Sequence, residues 1–330
     1  MNTHLLQFLL SRLEFITKKP KATGFTLIEL LVSMLMAGII ISSLLYLMVN
    51  LLQTDQKEAA TNQTQGEMQA AMDYITSDLR DAVYVYDDVT KLSSYLPNFG
   101  TDHKPILAFW KPESVAEQSG QTLPSDCTLE TFTALQKQEC ASLRVRQNTY
   151  TLVVYLQSKG EGGEWKGQSR IRRYQLRKYT TISTLTKSTG YIDPSQTNTS
   201  FQQWPRDITS TASPKPGLQD PLLSASSGSA SVLVDFVDDP TNQVTIPSCP
   251  STEYIRTPIS PASPALPNST SFFACVRNEA NSVGLNQDVI VFLRGNPVGK
   301  TGIFTFANRQ LPTLQSQVVA RGVLDKTPSQ

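Results

Sequence analysis

The side chain in the most unusual chemical setting is Glu29, the only charged residue in the apolar run from Phe25 to Leu52. A carboxylate at the centre of a membrane helix costs on the order of 2–3 kcal/mol, so it usually has a partner. Cleavage after Gly24 would supply one, because it would leave an α-amino group on Phe25, close to Glu29. In a medium of low dielectric, pairing the amine of one subunit with the glutamate of its neighbour would favour assembly and fix the axial register. The alternative is that Glu29 lies near enough to the membrane interface to stay hydrated.

Histidines, which most often serve in catalysis and metal binding, are scarce in this chain. There are two, His4 and His103, and His4 lies in the stretch that cleavage would remove. A single histidine cannot supply a multi-histidine metal site, and we interpret His103 as an exposed loop residue rather than part of a Ser/His/Asp arrangement. The sequence also has no phosphate-cradling glycine loop. We therefore expect no enzymatic activity, no cofactor and no metal site.

The four cysteines are Cys127, Cys140, Cys249 and Cys275, and none of them forms a C-x-x-C pair. An even number of cysteines in an exported domain indicates disulfides. Four cysteines allow three pairings, and we prefer the local one, which joins Cys127 to Cys140 and Cys249 to Cys275. If the domain stayed in the cytoplasm, four buried thiols would be the better interpretation.

The apolar run is long enough to cross a membrane. As a helix with a rise of about 1.5 Å per residue, it exceeds a hydrocarbon core roughly 30 Å thick. It is also longer than the apolar core of a secretory signal, which has roughly 7–15 residues. Lysines and an arginine precede it and place its N-terminal side in the cytoplasm. The rest of the chain, after Leu52, is then expected outside the cytoplasm.

The residues KATGFTLIELLVSM resemble the prepilin cleavage and N-methylation motif, with Gly24 before the cut, Phe25 as the first mature residue and Glu29 as the fifth. The resemblance extends from residue 21 to about residue 52. It implies that an inner-membrane prepilin peptidase removes residues 1–24 as a leader peptide and methylates the amine of Phe25. It also implies a role for Glu29 in filament assembly.

The resemblance further implies a single-pass inner-membrane protein with its C-terminal domain in the periplasm or outside the cell, and it allows incorporation in a pilus or pseudopilus. Its partners would be other major and minor pilin or pseudopilin subunits and the inner-membrane assembly platform. The arrangement of a long helix before a bulky domain is similar to J-type minor pseudopilins of type II secretion, to W-type minor pilins and to pseudopilins of polysaccharide secretion in filamentous cyanobacteria. We expect a minor pilin or pseudopilin that initiates or caps a filament used for secretion, motility or uptake. The alternative is a filament-tip adhesin or glycan-binding module.

The expected fold class is α+β, with a long N-terminal helix packed on a β-rich C-terminal domain. We predict one helix over residues 25–86, with its transmembrane part at 25–52, followed by a domain over 87–330. An apolar stripe in the second half of this helix is expected to pack on a sheet, a coiled-coil surface being the alternative. The stripe consists of Met68, Met72, Ile75, Leu79 and Val83.

Alternating and β-branched runs predict the strands of this domain. They are Ile106–Trp110, Ser142–Arg146, Tyr150–Gln157, Ile171–Tyr179, Ser231–Val237, Phe272–Val276, Asp288–Arg294 and Gly302–Phe306. The link Gln147-Asn148-Thr149 suggests a hairpin, and residues 159–163 suggest the next turn. Residues 180–230 and 258–267 are rich in proline or in serine and threonine, and 180–230 are interpreted as surface loops or a partly disordered insertion.

Charge patterns add little to this interpretation. The net charge of +1 gives no reason to expect a nucleic acid partner. The basic residues Arg170, Arg172, Arg173, Arg177 and Lys178 are interpreted as a solvated strand face, an anionic partner surface being the alternative. The adjacent acids at 87–88 and 238–239 are interpreted as solvated turn carboxylates rather than calcium ligands, because no D-x-D-x-D-G pattern is present.

Overall fold

The computed structural model describes residues 24–99, 102–115, 118, 122–160, 163–219, 230–241, 247–259, 269–278, 286–300 and 311–323. The chain divides into two compact units, residues 1–55 and residues 56–330. The boundary lies inside the first helix, α1 (Leu27–Arg80). Antiparallel sheets follow this helix, so the fold class is α+β as expected.

Helix α1 ends at Arg80, earlier than the prediction of residue 86. The chain leaves the helix because the residues after it join a sheet: the amide of Val83 donates to the carbonyl oxygen of Trp110 at 2.8 Å. Strand β1 (Tyr84–Val85) then pairs with Trp110 and Phe109. The β-branched residues Val83 and Val85 suit an extended backbone, and the pairing overrides the helical period.

The apolar stripe in the second half of α1 is buried in the core of the second unit. Met68, Met72, Ile75 and Leu79 are each at most 4% exposed and pack with residues of two sheets. Burying a side chain of this kind contributes roughly 1.5–3 kcal/mol. The prediction that this face packs on a sheet is confirmed, which removes the reason for a coiled-coil surface there.

The first sheet has five antiparallel strands in the order β1-β2-β3-β4-β7. After β1, its members are β2 (His103–Ser114), β3 (Asn148–Lys159), β4 (Ser169–Leu176) and β7 (Ser231–Val237). The predicted strand at 231–237 matches β7, and those at 106–110 and 150–157 lie within β2 and β3. The predicted strand at 171–179 is divided between β4 and the short strand β5 (Tyr179–Thr181), which pairs with β6 (Thr186–Lys187).

The second sheet has four antiparallel strands in the order β11-β10-β9-β8. They are β8 (Tyr254–Thr257), β9 (Phe272–Arg277), β10 (Asn286–Arg294) and β11 (Thr313–Val323). The predictions at 272–276 and 288–294 are confirmed as parts of β9 and β10. The predicted strand Gly302–Phe306 lies outside the described residues, as does most of the proline-rich stretch 258–267.

Buried amide side chains join the two sheets. Gln157 on β3 donates to the hydroxyl of Ser169 at 2.8 Å and to that of Ser271, just before β9, at 2.7 Å. The side chain of Gln287 on β10 pairs with both main-chain groups of Val85, at 2.7 Å each. These bonds satisfy polar groups that would be costly to bury unpaired, and they hold the sheets in register.

One predicted strand and its hairpin are wrong. Residues 142–146 belong to a second helix, α2 (Ala134–Arg146). Thr133 caps its N-terminus, and Gln136 returns the bond to the amide of Thr133 at 2.9 Å, which completes a capping box. Gln147 ends the helix with a left-handed φ of 54°. The cap and the buried side chain of Cys140 outweigh the short alternating pattern Leu-Arg-Val-Arg that suggested a strand.

The segment 180–219 also differs from the prediction of surface loops. Tyr191 and Trp204 are 7% and 2% exposed, and both rings pack edge-on against Trp110 of the first sheet. The indole nitrogen of Trp204 donates to the carbonyl oxygen of Ile192 at 2.8 Å. The segment therefore covers an aromatic face of the sheet. Residues 220–229 lie outside the described part of the chain.

Candidate functional site

The residues of the predicted cleavage and assembly site lie at the start of α1. The carbonyl oxygen of Thr26 accepts hydrogen bonds from the amides of Glu29 and Leu30, at 3.0 and 3.2 Å, so the helix is already formed at Glu29. Phe25 precedes this turn and is 81% exposed. A carboxylate in the first turn of a helix is stabilised by the positive end of the helix dipole. The arrangement places Glu29 one helical turn away from the backbone nitrogen of Phe25.

The described part of the first unit exposes its apolar side chains on all sides. Every described side chain from residue 24 to residue 56 is exposed. Polar hydroxyls in this segment bond to their own helix: Ser33 donates to Leu30 and Ser42 to Gly38, each at 2.8 Å. Within the described residues, α1 is the one helix long and apolar enough to cross a membrane. A helix that is apolar all round is stable only when lipid or other helices surround it.

Among the described residues, Gly24 has no neighbour that a side chain would meet. A Cβ built on it finds no atom within 4 Å, and the same is true of Gly38. The chain's own fold therefore places no steric demand on a glycine at position 24. A requirement for glycine at position 24 would therefore come from another molecule that binds or cleaves this segment.

Comparison with known proteins gives one finding, and it falls on this segment. Residues 19–45 match the family model described as the prokaryotic N-terminal methylation motif. No curated protein and no solved structure matches the chain. The chain thus carries a prepilin-type methylation motif, as the resemblance in its sequence implied. This motif, together with the exposed apolar helix, fits a single-pass membrane protein of the type IV pilin-like or pseudopilin class, whose members are structural subunits.

The cysteines form two disulfides, Cys127–Cys140 and Cys249–Cys275. This is the local pairing preferred from the sequence. The first bond fixes α2 to the segment before it, and the second joins β9 to the segment before β8. Disulfides persist in oxidising compartments and are rare in the cytoplasm.

The interpretation of the basic residues as a solvated face is wrong for most of them, because they belong to buried ion pairs. Asp78 on α1 bonds to the Nε atom of Arg173 at 2.8 Å and to the Nζ atom of Lys111 at 2.7 Å. The hydroxyl of Tyr155 also donates to Asp78, at 2.7 Å. Burial alone would raise the pKa of Asp78, but the bonds and charges of Arg173 and Lys111 outweigh it and lower the pKa. This cluster fastens α1 to the first sheet.

Two further basic residues are engaged in the same way. Arg177 makes a two-pronged pair with Glu113, with the shortest distance 2.6 Å from Nη2 to Oε1. Lys178 lies between Glu139 and Asp193, at 2.9 and 3.2 Å. These side chains compensate carboxylates of the same chain. A free anion-binding surface on this strand therefore has no support in the described contacts.

The adjacent acids also have structural partners. Asp87 pairs with Lys91 at 3.1 Å, and Asp88 accepts from the amide of Thr90 at the start of a 3-10 helix, Val89–Tyr95. Asp238 is fully buried and pairs with Arg294 at 2.8 Å, which corrects its interpretation as a solvated carboxylate. Among the described residues, no group of three histidine, cysteine or acidic side chains is arranged to hold a metal.

His103 and Asp78 show what sequence reasoning missed. His103 begins β2 and is half-buried, rather than lying in an exposed loop. Asp78 lies next to Leu79 and three residues after Ile75, both of which belong to the apolar stripe. Residues three and four apart share a helix face, so a charge at this position signalled a buried partner.

Proposed function

We propose that this protein is a minor pilin or pseudopilin, cleaved after Gly24, methylated on Phe25 and assembled into a type IV pilus-like or type II secretion-like filament. Residues 1–24 act as the leader, residues 25–52 cross the inner membrane, and the domain beyond lies in the periplasm or outside the cell. The protein is processed by a prepilin peptidase and assembles with other subunits through the inner-membrane platform.

One observation carries this proposal: a single carboxylate, Glu29, lies in the apolar run from Phe25 to Leu52, which is otherwise without charge and begins inside the methylation motif. A membrane helix gains nothing by itself from a carboxylate at this depth. The carboxylate becomes useful when the free amine of a processed Phe25 on a neighbouring subunit lies beside it. Pairing then stabilises assembled subunits, whereas a subunit alone in the membrane keeps an uncompensated charge.

The proposed orientation is supported by the disulfides and by the charges before the helix. The two disulfides favour an oxidising compartment for the second unit. Basic residues before the apolar run favour the cytoplasm for its N-terminal side. Both arguments favour the outer side of the membrane for the residues beyond 52.

A minor role is supported by the size of the second unit, which extends from residue 56 to residue 330 and contains a five-stranded and a four-stranded sheet. A unit of this bulk would crowd a filament in which it was the repeating subunit, whereas a few copies at one end would not. The alternative, a filament-tip adhesin or glycan-binding module, loses the support of the basic strand, because Arg173 and Arg177 are paired with Asp78 and Glu113.

The proposal is tested by mass spectrometry of the intact N-terminus, on protein purified from membranes of cells with and without the prepilin peptidase. We expect an N-methylated Phe25 in the first sample and an uncleaved leader in the second. A chain that begins at Met1 in both samples, or that is cut at another residue, would refute it.

A further inference from the structure

The second unit has a polar crevice of about 340 Å³ beside α2. One wall is α2, a second is the start of β3, and the segments around residues 178 and 193 complete it. Of the eleven described residues that line it, only Leu143 has no polar atom in its side chain. Its volume lies within the range of small-molecule sites, roughly 300–1,000 Å³. We call it the α2 crevice.

The walls of the α2 crevice are held in place by the chain itself. The disulfide at Cys140 fixes α2, and Tyr179 packs in the same apolar cluster as Cys140. The Nζ atom of Lys178 joins Glu139 of α2, at 2.9 Å, to Asp193, at 3.2 Å. A site that is already formed loses less conformational freedom when it binds a ligand.

Two oxygen atoms of the lining residues have no hydrogen bond within the described part of the chain. Tyr179 is 3% exposed, and its hydroxyl is without a partner there. The Oε2 atom of Glu139 is also without a hydrogen bond, although the Nζ atom of Lys187 lies 3.5 Å from this carboxylate oxygen. Buried polar atoms nearly always have partners, so this pair of atoms indicates that something else bonds to them.

The protonation states of these two groups define what that partner must be. Burial, and after it the nearby charge of Glu139, raises the pKa of Tyr179, so its hydroxyl keeps its proton. Burial alone would raise the pKa of Glu139, but the hydrogen bond and charge of Lys178 outweigh it and lower the pKa. The carboxylate can therefore only accept, whereas the phenol can donate or accept. A hydroxyl group can donate to the first and accept from the second.

The charges of the lining residues balance one another. Glu139 and Asp193 are negative, Arg146 and Lys178 are positive, and Lys178 is already shared between both carboxylates. Arg146 is exposed at the end of α2, where solvent screens its attraction for an anion. A charged ligand therefore finds little excess of the opposite sign in the crevice.

From these contacts we propose that the α2 crevice binds one neutral sugar ring of a glycan. The hydroxyl groups of a sugar both donate and accept, so they match Tyr179 and Glu139 together with the exposed side chains of Ser142 and Asn148. A single water, which takes up about 30 Å³, would fill only a small part of the crevice. The proposal goes beyond the processing and filament assembly proposed above and does not depend on either.

The test uses the full-length chain, purified in a detergent without a sugar head group, on an array of neutral, uronic-acid-containing and phosphate-bearing glycans. We expect binding to neutral glycans. Tyr179→Phe removes only a hydroxyl that has no bond to lose in the free protein, so it should leave the melting temperature unchanged and weaken binding about tenfold. Tyr74→Phe is the matched control, because the exposed Tyr74 does not line the crevice, and it should leave binding unchanged.

A second pair of variants makes the test independent of that hydroxyl. Ser142→Trp fills the crevice from an exposed position of α2 and should weaken binding at least about tenfold. Gln138→Trp adds the same side chain at an exposed position of α2 that does not line the crevice, and should leave binding unchanged. Arg146→Gln removes a charge but keeps N–H donors, so it should weaken the binding of neutral glycans by less than about fivefold.

Three results would overturn the proposal: no binding to any neutral glycan, binding to acidic glycans only, or binding that either Tyr179→Phe or Ser142→Trp leaves unchanged. The first result would mean that only water occupies the crevice, and the second that it holds an anion. Chain that retains its leader, from cells without the prepilin peptidase, should bind as well as processed chain. Failure of the proposed processing is thereby distinguished from failure of this proposal.

Discussion

Replacing Asp78 by asparagine should destabilise the second unit strongly. Asp78 is the only acid bonded to both Lys111 and Arg173 among the described contacts, and its side chain is 7% exposed. The substitution keeps the shape of the side chain but leaves two largely buried cations without their counter-charge.

The size of the effect follows from the burial of all three groups. The side chains of Lys111 and Arg173 are 16% and 11% exposed, so solvent screens them little. Removing one member of a buried ion pair costs about 3–5 kcal/mol. For a domain of this size, that corresponds to a fall in the melting temperature of roughly 10 °C.

The assay is thermal unfolding of the detergent-solubilised chain, followed by tryptophan fluorescence. Trp110 and Trp204 are buried and report on the core around the first sheet. Asp73→Asn is the matched control, because Asp73 is an exposed acid on the same helix. If the melting temperature of Asp78→Asn lies within about 2 °C of that of Asp73→Asn, the ion-pair cluster does not fasten the helix and this reasoning fails.

The stability difference between wild type and Asp78→Asn should also depend on pH, in a direction that the pKa of Asp78 determines. The pKa of Asp78 is lowered in the folded protein. Its contribution to stability is therefore complete above the ordinary aspartate pKa, roughly 4, and is lost as the pH falls through the lower folded value. The stability difference between wild type and Asp78→Asn should be constant from about pH 7 to pH 5 and shrink below about pH 4. A difference that grows in acid would contradict the assignment.

Three other predictions concern processing, assembly and the disulfides. Gly24→Ala should leave the leader attached, as measured by intact mass, whereas Gly38→Ala should be processed normally. Neither new Cβ meets a described atom of the chain, so a difference between the two variants reports on processing and not on folding. Glu29→Gln should enter the membrane as well as wild type but be depleted from sheared filaments; equal incorporation would remove the argument for amine–carboxylate pairing. Replacing Cys127 and Cys140 together by serine should lower the free energy of unfolding by about 3 kcal/mol in urea titrations, because the closed loop spans 13 residues. A fall of less than about 1 kcal/mol would show that this bond constrains the unfolded chain little.

The helix face and the strands that were predicted correctly are those with a clear pattern in neighbouring residues. The helical spacing of Met68, Met72, Ile75 and Leu79 identified the buried face of α1, since that period directly reports which side is apolar. The strand at 231–237 was equally clear, because β-branched residues are bounded there by small polar ones. The five residues Ser142–Arg146 were too short a window to separate a strand from a helix. The decisive signal, Thr133 followed by Gln136, lay nine residues earlier.

The ion pairs could not be predicted, because their partners are far apart in the chain. Arg173 meets Asp78 across 95 residues, and Arg177 meets Glu113 across 64. A sequence shows that a strand is basic, but not which carboxylates the fold brings to it. The candidate membrane site is the opposite case: Gly24, Phe25 and Glu29 lie within one short segment, so the resemblance of that segment to the prepilin motif was enough to suggest their chemistry.

The disulfides have a consequence for the order of events in the export that we propose for the second unit. Each bond joins cysteines close in sequence, 13 and 26 residues apart, whereas the first sheet must bring together strands from residue 84 to residue 237. Closing a short loop costs less chain entropy than closing a long one. An oxidase at the outer face of the membrane could therefore seal each loop as it emerges, before the long-range strands pair. The correct partner is then the nearest cysteine available, so the chain would need little help from a disulfide isomerase.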